Sequence, residues 1–433
     1  MDLCLPGTHD SLSYDLSLTV SQDGLDNLER LSDILHRLSG GTVEILPGEL
    51  EDFFRLQAKT QQLSVRQQLD NGIRFLDFRL MYESEADAWY SIHFMQSRET
   101  VNVYWREIRA WMDEHPEEVV IIWLSKHGNP QATGEDQYPN VTPLQKQAIW
   151  QTYASTFDGI MHDSQQTNLF RDSVELLIQR NQRIVTFAAD YLEFTGSSNS
   201  AIDAASIQNR YDSGEGAFDE SVTLQNHLEY FSKASTNNAA VHARGGFTLL
   251  GMNTQGDTWQ IVAGAKRRFL HWYIDLFHEC SSHIRMPDAP HWCPETLLDI
   301  AQLSSYYNQI TFEHAFVNLN GQGATEFPNA LYLDALDVDG TLRTGPYLLN
   351  GAKRGGDHAT KEVKYAYVDT ILAYNAKVVC RASSNATSEC DQLKVLLDQR
   401  RKKYPLRLWS ELSFARHKDW PTVEKTTVSI AEM

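Results

Sequence analysis

The strongest constraint on the fold is the stretch 119–124, Val-Val-Ile-Ile-Trp-Leu, a largely β-branched run without a polar residue. Such a run suits a strand buried on both faces, as in parallel sheets covered by helices. Before it, Val101, Trp105, Ile108 and Met112 recur on one helical face, and His115-Pro116-Glu117-Glu118 breaks that helix. Further back, residues 73–80 and 89–94 read as strands. Strand, helix, strand in that order predicts a parallel βαβ unit. Later strands are expected over 183–188, 246–252 and 330–336, and Val363, Tyr367, Ile371 and Tyr374 give a further helical stripe. The polar stretches 12–64, 127–147, 195–245 and 253–300 read as loop insertions on this framework. The expectation is one α/β barrel over residues 1–380, with a C-terminal extension over 381–433 packing on it.

Charge narrows the function classes. With 38 Lys and Arg against 57 Asp and Glu, the net charge is −19. A nucleic-acid binder needs a basic face to neutralise phosphates, so nucleic acid is not an expected partner. Simple electrostatic attraction to anionic membrane is disfavoured for the same reason. The run 119–124 falls far short of the roughly 20 apolar residues that cross a bilayer, so a soluble protein without a transmembrane segment is expected.

The five cysteines include Cys280 and Cys293, and Cys380 and Cys390, each pair bracketing a polar loop that a disulfide could close; Cys4 is left over. Asn140-Val141-Thr142 and Asn385-Ala386-Thr387 are glycosylation sequons. Together they favour an extracellular, secreted location, with a cytoplasmic one as the alternative. The first residues have neither a basic nor an apolar leader region, so a trimmed N-terminus is expected.

Three segments carry more polar chemistry than packing requires. In Leu5-Pro6-Gly7-Thr8-His9-Asp10-Ser11, an apolar strand stops and delivers His9 and Asp10. Catalytic groups of parallel barrels sit at such strand ends. In the strand over 73–80, period-two alternation puts Phe75, Asp77 and Arg79 on one face, which predicts an ion pair holding a guanidinium ready for an anion. Ser91-Ile92-His93-Phe94 puts a second histidine on the next strand. Singly, each has a bland explanation: a helix cap, a structural bridge, a core histidine. The combination is much rarer.

This set resembles the X-domain superfamily of phosphatidylinositol-specific phospholipases C, and within it the bacterial-type, metal-independent branch. Pro6-Gly7-Thr8-His9-Asp10-Ser11 is similar to its first signature, and Gly72-Ile73-Arg74-Phe75-Leu76-Asp77-Phe78-Arg79 to its second. The break at His115–Glu118, the strand after it and Lys126 follow the family order. Pro328-Asn329-Ala330-Leu331-Tyr332-Leu333-Asp334 looks like its late strand. The resemblance implies a distorted TIM (β/α)₈ barrel with long loop insertions. It implies cleavage of phosphatidylinositol, or a related inositol glycolipid, to diacylglycerol and a cyclic inositol phosphate.

By that resemblance His9 is the general base, Asp334 orients it, Arg79 meets the phosphate, and His93, assisted by Asp10, is the general acid. Asp77 supports Arg79, and Lys126 adds electrostatic support. Tyr211 and Asn209 fall where the family binds the inositol ring, although Asn209 stands in place of an acid. Two further departures are Phe94, where the family has glycine, and Ala188-Ala189, where the inositol-binding branch carries basic residues. Calcium-using relatives carry Asn after the first histidine and acids where Arg79 stands, so no metal and no cofactor are expected. The implied partner is a phospholipid at a membrane surface, met peripherally and transiently by a monomer. The alternatives are a metal-dependent phosphodiesterase on the same fold and a catalytically silent lipid-headgroup binding protein.

Overall fold

The computed structural model describes residues 4–21, 29, 31–37, 48–127, 141–209, 241, 245–251 and 329–333, with 342–343, 364–365, 371, 375 and 395. Its centre is a mixed sheet in which β8 (Ile202–Asp203), β7 (Ile184–Ala188), β6 (Val120–His127), β3 (Phe75–Glu83), β1 (Leu5–Thr8), β11 (Ala330–Leu333), β10 (Phe247–Gly251) and β9 (Ile207–Asn209) lie side by side in that order. Every neighbouring pair in this run is parallel. Its two outer strands, β8 and β9, are joined in sequence by a single 3₁₀ turn, Ala204–Ser206. Among the described residues no ladder pairs β8 with β9.

Alternation along the strands separates two apolar layers. Phe75, Ile121, Val185, Phe187, Phe247, Leu249, Ala330 and Tyr332 pack together on one face. On the other face Leu76, Phe78, Ile122, Leu124 and Ile184 pack against Trp105, Trp111 and Tyr153. Those aromatics come from α3 (Val101–Glu114) and α4 (Pro143–Thr156). The interior layer leaves no room beside Gly7, where a Cβ would lie 2.8 Å from the Leu331 carbonyl oxygen and 3.1 Å from Phe75. A backbone oxygen cannot rotate aside, so Gly7→Val is expected to lower unfolding free energy by about 1–3 kcal/mol, read by urea denaturation. An unchanged midpoint would mean that β1 shifts freely against β11.

The expected strands over 73–80, 89–94, 119–124, 183–188 and 246–252 are present within one to three residues at their ends. The strand expected over 330–336 is described as far as Leu333.

Three readings are corrected. The strand β4 (Ala88–His93) is antiparallel to β3, and β5 (Met95–Thr100) is antiparallel to β4. The parallel unit is therefore β3–α3–β6, with a hairpin excursion that returns the chain alongside β3. Second, the described residues of the insertion read over 12–64 include regular elements. Among them are β2 (Leu16–Val20), which pairs with β5, helical residues 31–37, and α1 (Glu49–Ala58). The helix buries Leu50, Phe53, Phe54 and Ala58, a 3-and-4 spacing too short to stand out in a polar segment. Third, the stripe beginning at Val363 is not continuous helix: β13 (Lys364–Tyr365) pairs antiparallel with β12 (Leu342–Arg343). Ile371 is helical and buried. Residues 253–300, both cysteine pairs and both sequon asparagines lie outside the described residues, as does 381–433 except Val395.

Candidate active site

The site forms where β1 ends. After Thr8 the chain turns, and Asp10 takes a left-handed backbone (φ 45°), which aspartate tolerates better than most residues. The turn is locked to β3 by paired bonds: the Ser11 amide donates to the Asp77 carbonyl at 2.9 Å, and the Asp77 amide donates to the Ser11 hydroxyl at 2.9 Å. His9, Asp10 and Asp77 are all buried.

Asp10 is the hub. Its Oδ1 lies 2.5 Å from Arg79 Nε, and its Oδ2 lies 3.3 Å from His9 Nδ1 and 3.2 Å from His93 Nε2. Arg79 Nη2 is 2.6 Å from His9 Nε2. A guanidinium only donates, so His9 Nε2 accepts and the ring proton of His9 sits on Nδ1, facing Asp10. His93 Nδ1 is 2.6 Å from the Ala58 carbonyl oxygen, which only accepts, so His93 donates there. Its other nitrogen faces the Asp10 carboxylate. Both nitrogens of His93 thus face acceptors, the surroundings that favour an imidazolium. The Ala58 carbonyl ends α1, where unpaired carbonyls carry the negative end of the helix dipole.

Asp77 stands one layer back. Its Oδ2 accepts from the Asp10 amide at 3.2 Å and lies 3.7 Å from Arg79 Nε, further than Asp10 does. Its Oδ1 accepts from the Ser125 hydroxyl. Ser125 is the extra residue of a bulge, since Phe78 pairs with Leu124 while Arg79 pairs with Lys126. Burial pushes the Asp77 carboxyl above its ordinary range, and the nearby Arg79 charge pulls the other way.

His9, Asp10 and Asp77 each bring a ligand atom within 4.8 Å of the others, a grouping that could hold a metal ion. The donor set argues against a cation there, because Arg79 already forms an ion pair with the Asp10 carboxylate and a hydrogen bond with His9 Nε2. A second positive charge would have to displace the first.

The structure brings together five of the residues singled out from sequence: His9, Asp10, Asp77, Arg79 and His93. Lys126 is the ladder partner of Arg79, and Asn209 ends β9. Asp334 and Tyr211 lie outside the described residues. Phe94 adopts a left-handed backbone (φ 59°), the conformation for which glycine is best suited. Its ring is held against Phe54 and His93, with centroids 6.0 and 4.9 Å apart. Contributors that escaped sequence reasoning include the Ala58 carbonyl, Thr60, Gln61, Ser125, Gln68 and Tyr332, whose ring centroid lies 5.4 Å from that of His9. Only Gln68 had a nearby signal, since Ser64 and Gln67 form a capping box that opens its helix.

Comparison with known proteins bears on part of this region. Residues 53–213 match the family model PI-PLC X 1. Mouse (Mus musculus) PI-PLC X domain-containing protein 1 is 33% identical over 122 residues, which are 28% of this chain and 33% of that protein. The zebrafish (Danio rerio) protein of the same name is 32% identical over 126 residues, 29% of this chain and 38% of that one. This chain therefore spans little more than a third of the length of the curated relatives it matches. Among solved structures, a phosphatidylinositol-specific phospholipase C from Listeria monocytogenes aligns at 15% identity and TM-score 0.44, covering 78% of this chain and 89% of that one. Residues 53–213 of this chain are thus similar to the PI-PLC X family, and part of the chain is similar to the mouse and zebrafish PI-PLC X domain-containing proteins.

Proposed function

We propose that this chain is a metal-independent phosphodiesterase that cleaves phosphatidylinositol or a related inositol glycolipid to diacylglycerol and a cyclic inositol phosphate. The observation carrying this reading is the single carboxylate of Asp10, shared by a neutral histidine, a second histidine facing acceptors on both sides, and a guanidinium. Those are a base, an acid and an anion holder in one buried cluster.

In this scheme the phosphate draws Arg79 off His9 and frees the Nε2 lone pair. His9 Nε2 takes the proton of the inositol 2-hydroxyl as that oxygen bonds to phosphorus. The bond from phosphorus to the glycerol oxygen breaks, and His93 supplies the proton that oxygen needs. Arg79 opposes the charge gathered on the phosphorane, and Asp10 stabilises each imidazolium. Asp334 as a second partner of His9, Lys126 as electrostatic support, and Tyr211 with Asn209 as the inositol contacts belong to the same proposal. So do closure of the parallel run into a distorted barrel, a monomer with transient membrane contact, and a secreted location. Among the described residues no helix is long and apolar enough to cross a membrane.

The test is ³¹P NMR of inositol lipids incubated with the protein in excess EDTA. A cyclic phosphodiester is expected, falling about 10²–10⁴-fold in rate in His9→Ala and in His93→Ala. One histidine must be neutral and the other protonated, so the rate should peak between two pH limits. Turnover that returns only with Ca²⁺ or Mg²⁺ would favour the metal-dependent alternative. Lipid binding with no product from any vicinal-hydroxyl headgroup would favour the silent binding protein.

A further inference from the structure

We propose that Gln68 is a positioning residue for both histidines, acting through the backbone of Asp10. It lies in α2 (Val65–Asp70) and is fully buried. Its Oε1 accepts from the Thr8 hydroxyl at 2.7 Å, and its Nε2 donates to the carbonyls of Ser11 and Leu63, both at 2.8 Å. One side chain therefore grips the turn at Thr8 and at Ser11, on either side of His9 and Asp10. The residues just before α2 complete the cradle: the His9 carbonyl accepts from Gln61 Nε2 at 2.8 Å and from the Thr60 hydroxyl at 3.3 Å.

The grip has a reason. A left-handed backbone at a residue with a side chain is disfavoured and persists where surrounding bonds over-determine it. Relaxation of Asp10 to an extended backbone would swing its carboxylate away from His9, His93 and Arg79 together. The tautomer of His9 depends on that carboxylate and on the guanidinium it holds. Gln68 touches none of the reacting groups, so its influence reaches them only through this turn. The activity arm of the test rests on the phosphodiesterase reading; the spectroscopic arm does not.

Gln68→Met keeps side-chain length and removes all three bonds. In protein shown to be folded by circular dichroism, kcat is expected to fall about 100-fold, as for a misplacement of about 1 Å, with KM within about twofold. The ¹⁵N spectrum of the imidazoles should show His9 passing from the Nδ1–H tautomer to a mixture. A merely structural role would lower thermal stability and leave that tautomer unchanged. If Gln68→Met does not fold, Thr8→Val removes the hydroxyl arm together with the 2.8 Å contact to the Ser11 hydroxyl, keeps both bonds from Gln68 Nε2, and should give the same tautomer shift with about a tenfold loss of kcat. Folded variants with an unaltered His9 tautomer, or with kcat within threefold of wild type, overturn the proposal. The nitrogen spectrum needs no substrate, so a wild type inactive on every phosphodiester would defeat the function reading and leave this test standing.

Discussion

Asp10→Asn is expected to lower turnover by about 10³–10⁴-fold without unfolding the protein, the scale seen when a buried carboxylate that fixes a catalytic histidine becomes an amide. An amide has one accepting oxygen and one donating nitrogen. If the oxygen stays on Arg79, the NH₂ group faces His9 Nδ1 and His93 Nε2. His9 must then move its proton to Nε2, where it opposes the Arg79 donor and removes the lone pair a base needs. If the amide flips, its NH₂ group opposes Arg79 Nε instead. Neither orientation satisfies all three partners, although the shape is almost unchanged. The measurement is kcat from cyclic phosphate formation, alongside thermal unfolding as the control. A folded Asp10→Asn within tenfold of wild type would show that Asp10 does not govern the two imidazoles.

Arg79→Lys should cost about 10²–10³-fold in kcat, comparable to losing one oriented donor at an oxyanion. Lysine keeps the charge but not the fork. Arg79 reaches the Asp10 carboxylate with Nε and His9 with Nη2 at once, and a single ammonium cannot reproduce that span. Arg79→Ala should be at least as slow, and guanidinium ion at millimolar concentration should restore part of its rate. Rescue separates a missing charge at phosphorus from a collapsed site. If Arg79→Lys retained wild-type kcat, the geometry of the fork would be irrelevant to the transition state.

Much of this was legible in the residues themselves. The period-two alternation of β3 placed Phe75 in the interior layer and Asp77 and Arg79 beyond it on the same face. The Val101, Trp105, Ile108, Met112 stripe is the buried face of α3. Hairpin direction was not legible, because the side chains of β4 alternate alike whether it runs with β3 or against it. The role of residues 48–68 was hidden for another reason. Their contributions to the site are a helix-end carbonyl, an amide and a hydroxyl, groups common in any polar loop.

Sequence by itself determined the residue types and local order: two histidines, an aspartate beside the first, an arginine two residues after another aspartate, and the strands that carry them. Tertiary structure alone decided the partnerships. Sequence spacing pointed to Asp77 as the partner of Arg79, whereas the left-handed turn at Asp10 brings the nearer carboxylate. The hairpin carries His93 back to that same carboxylate, and α1 ends where its other nitrogen finds an acceptor. Ion pairs and hydrogen bonds of this kind join residues dozens of positions apart and depend on tenths of an ångström. Periodicity reports which face a side chain takes, and distance within that face is set only when separate elements pack together.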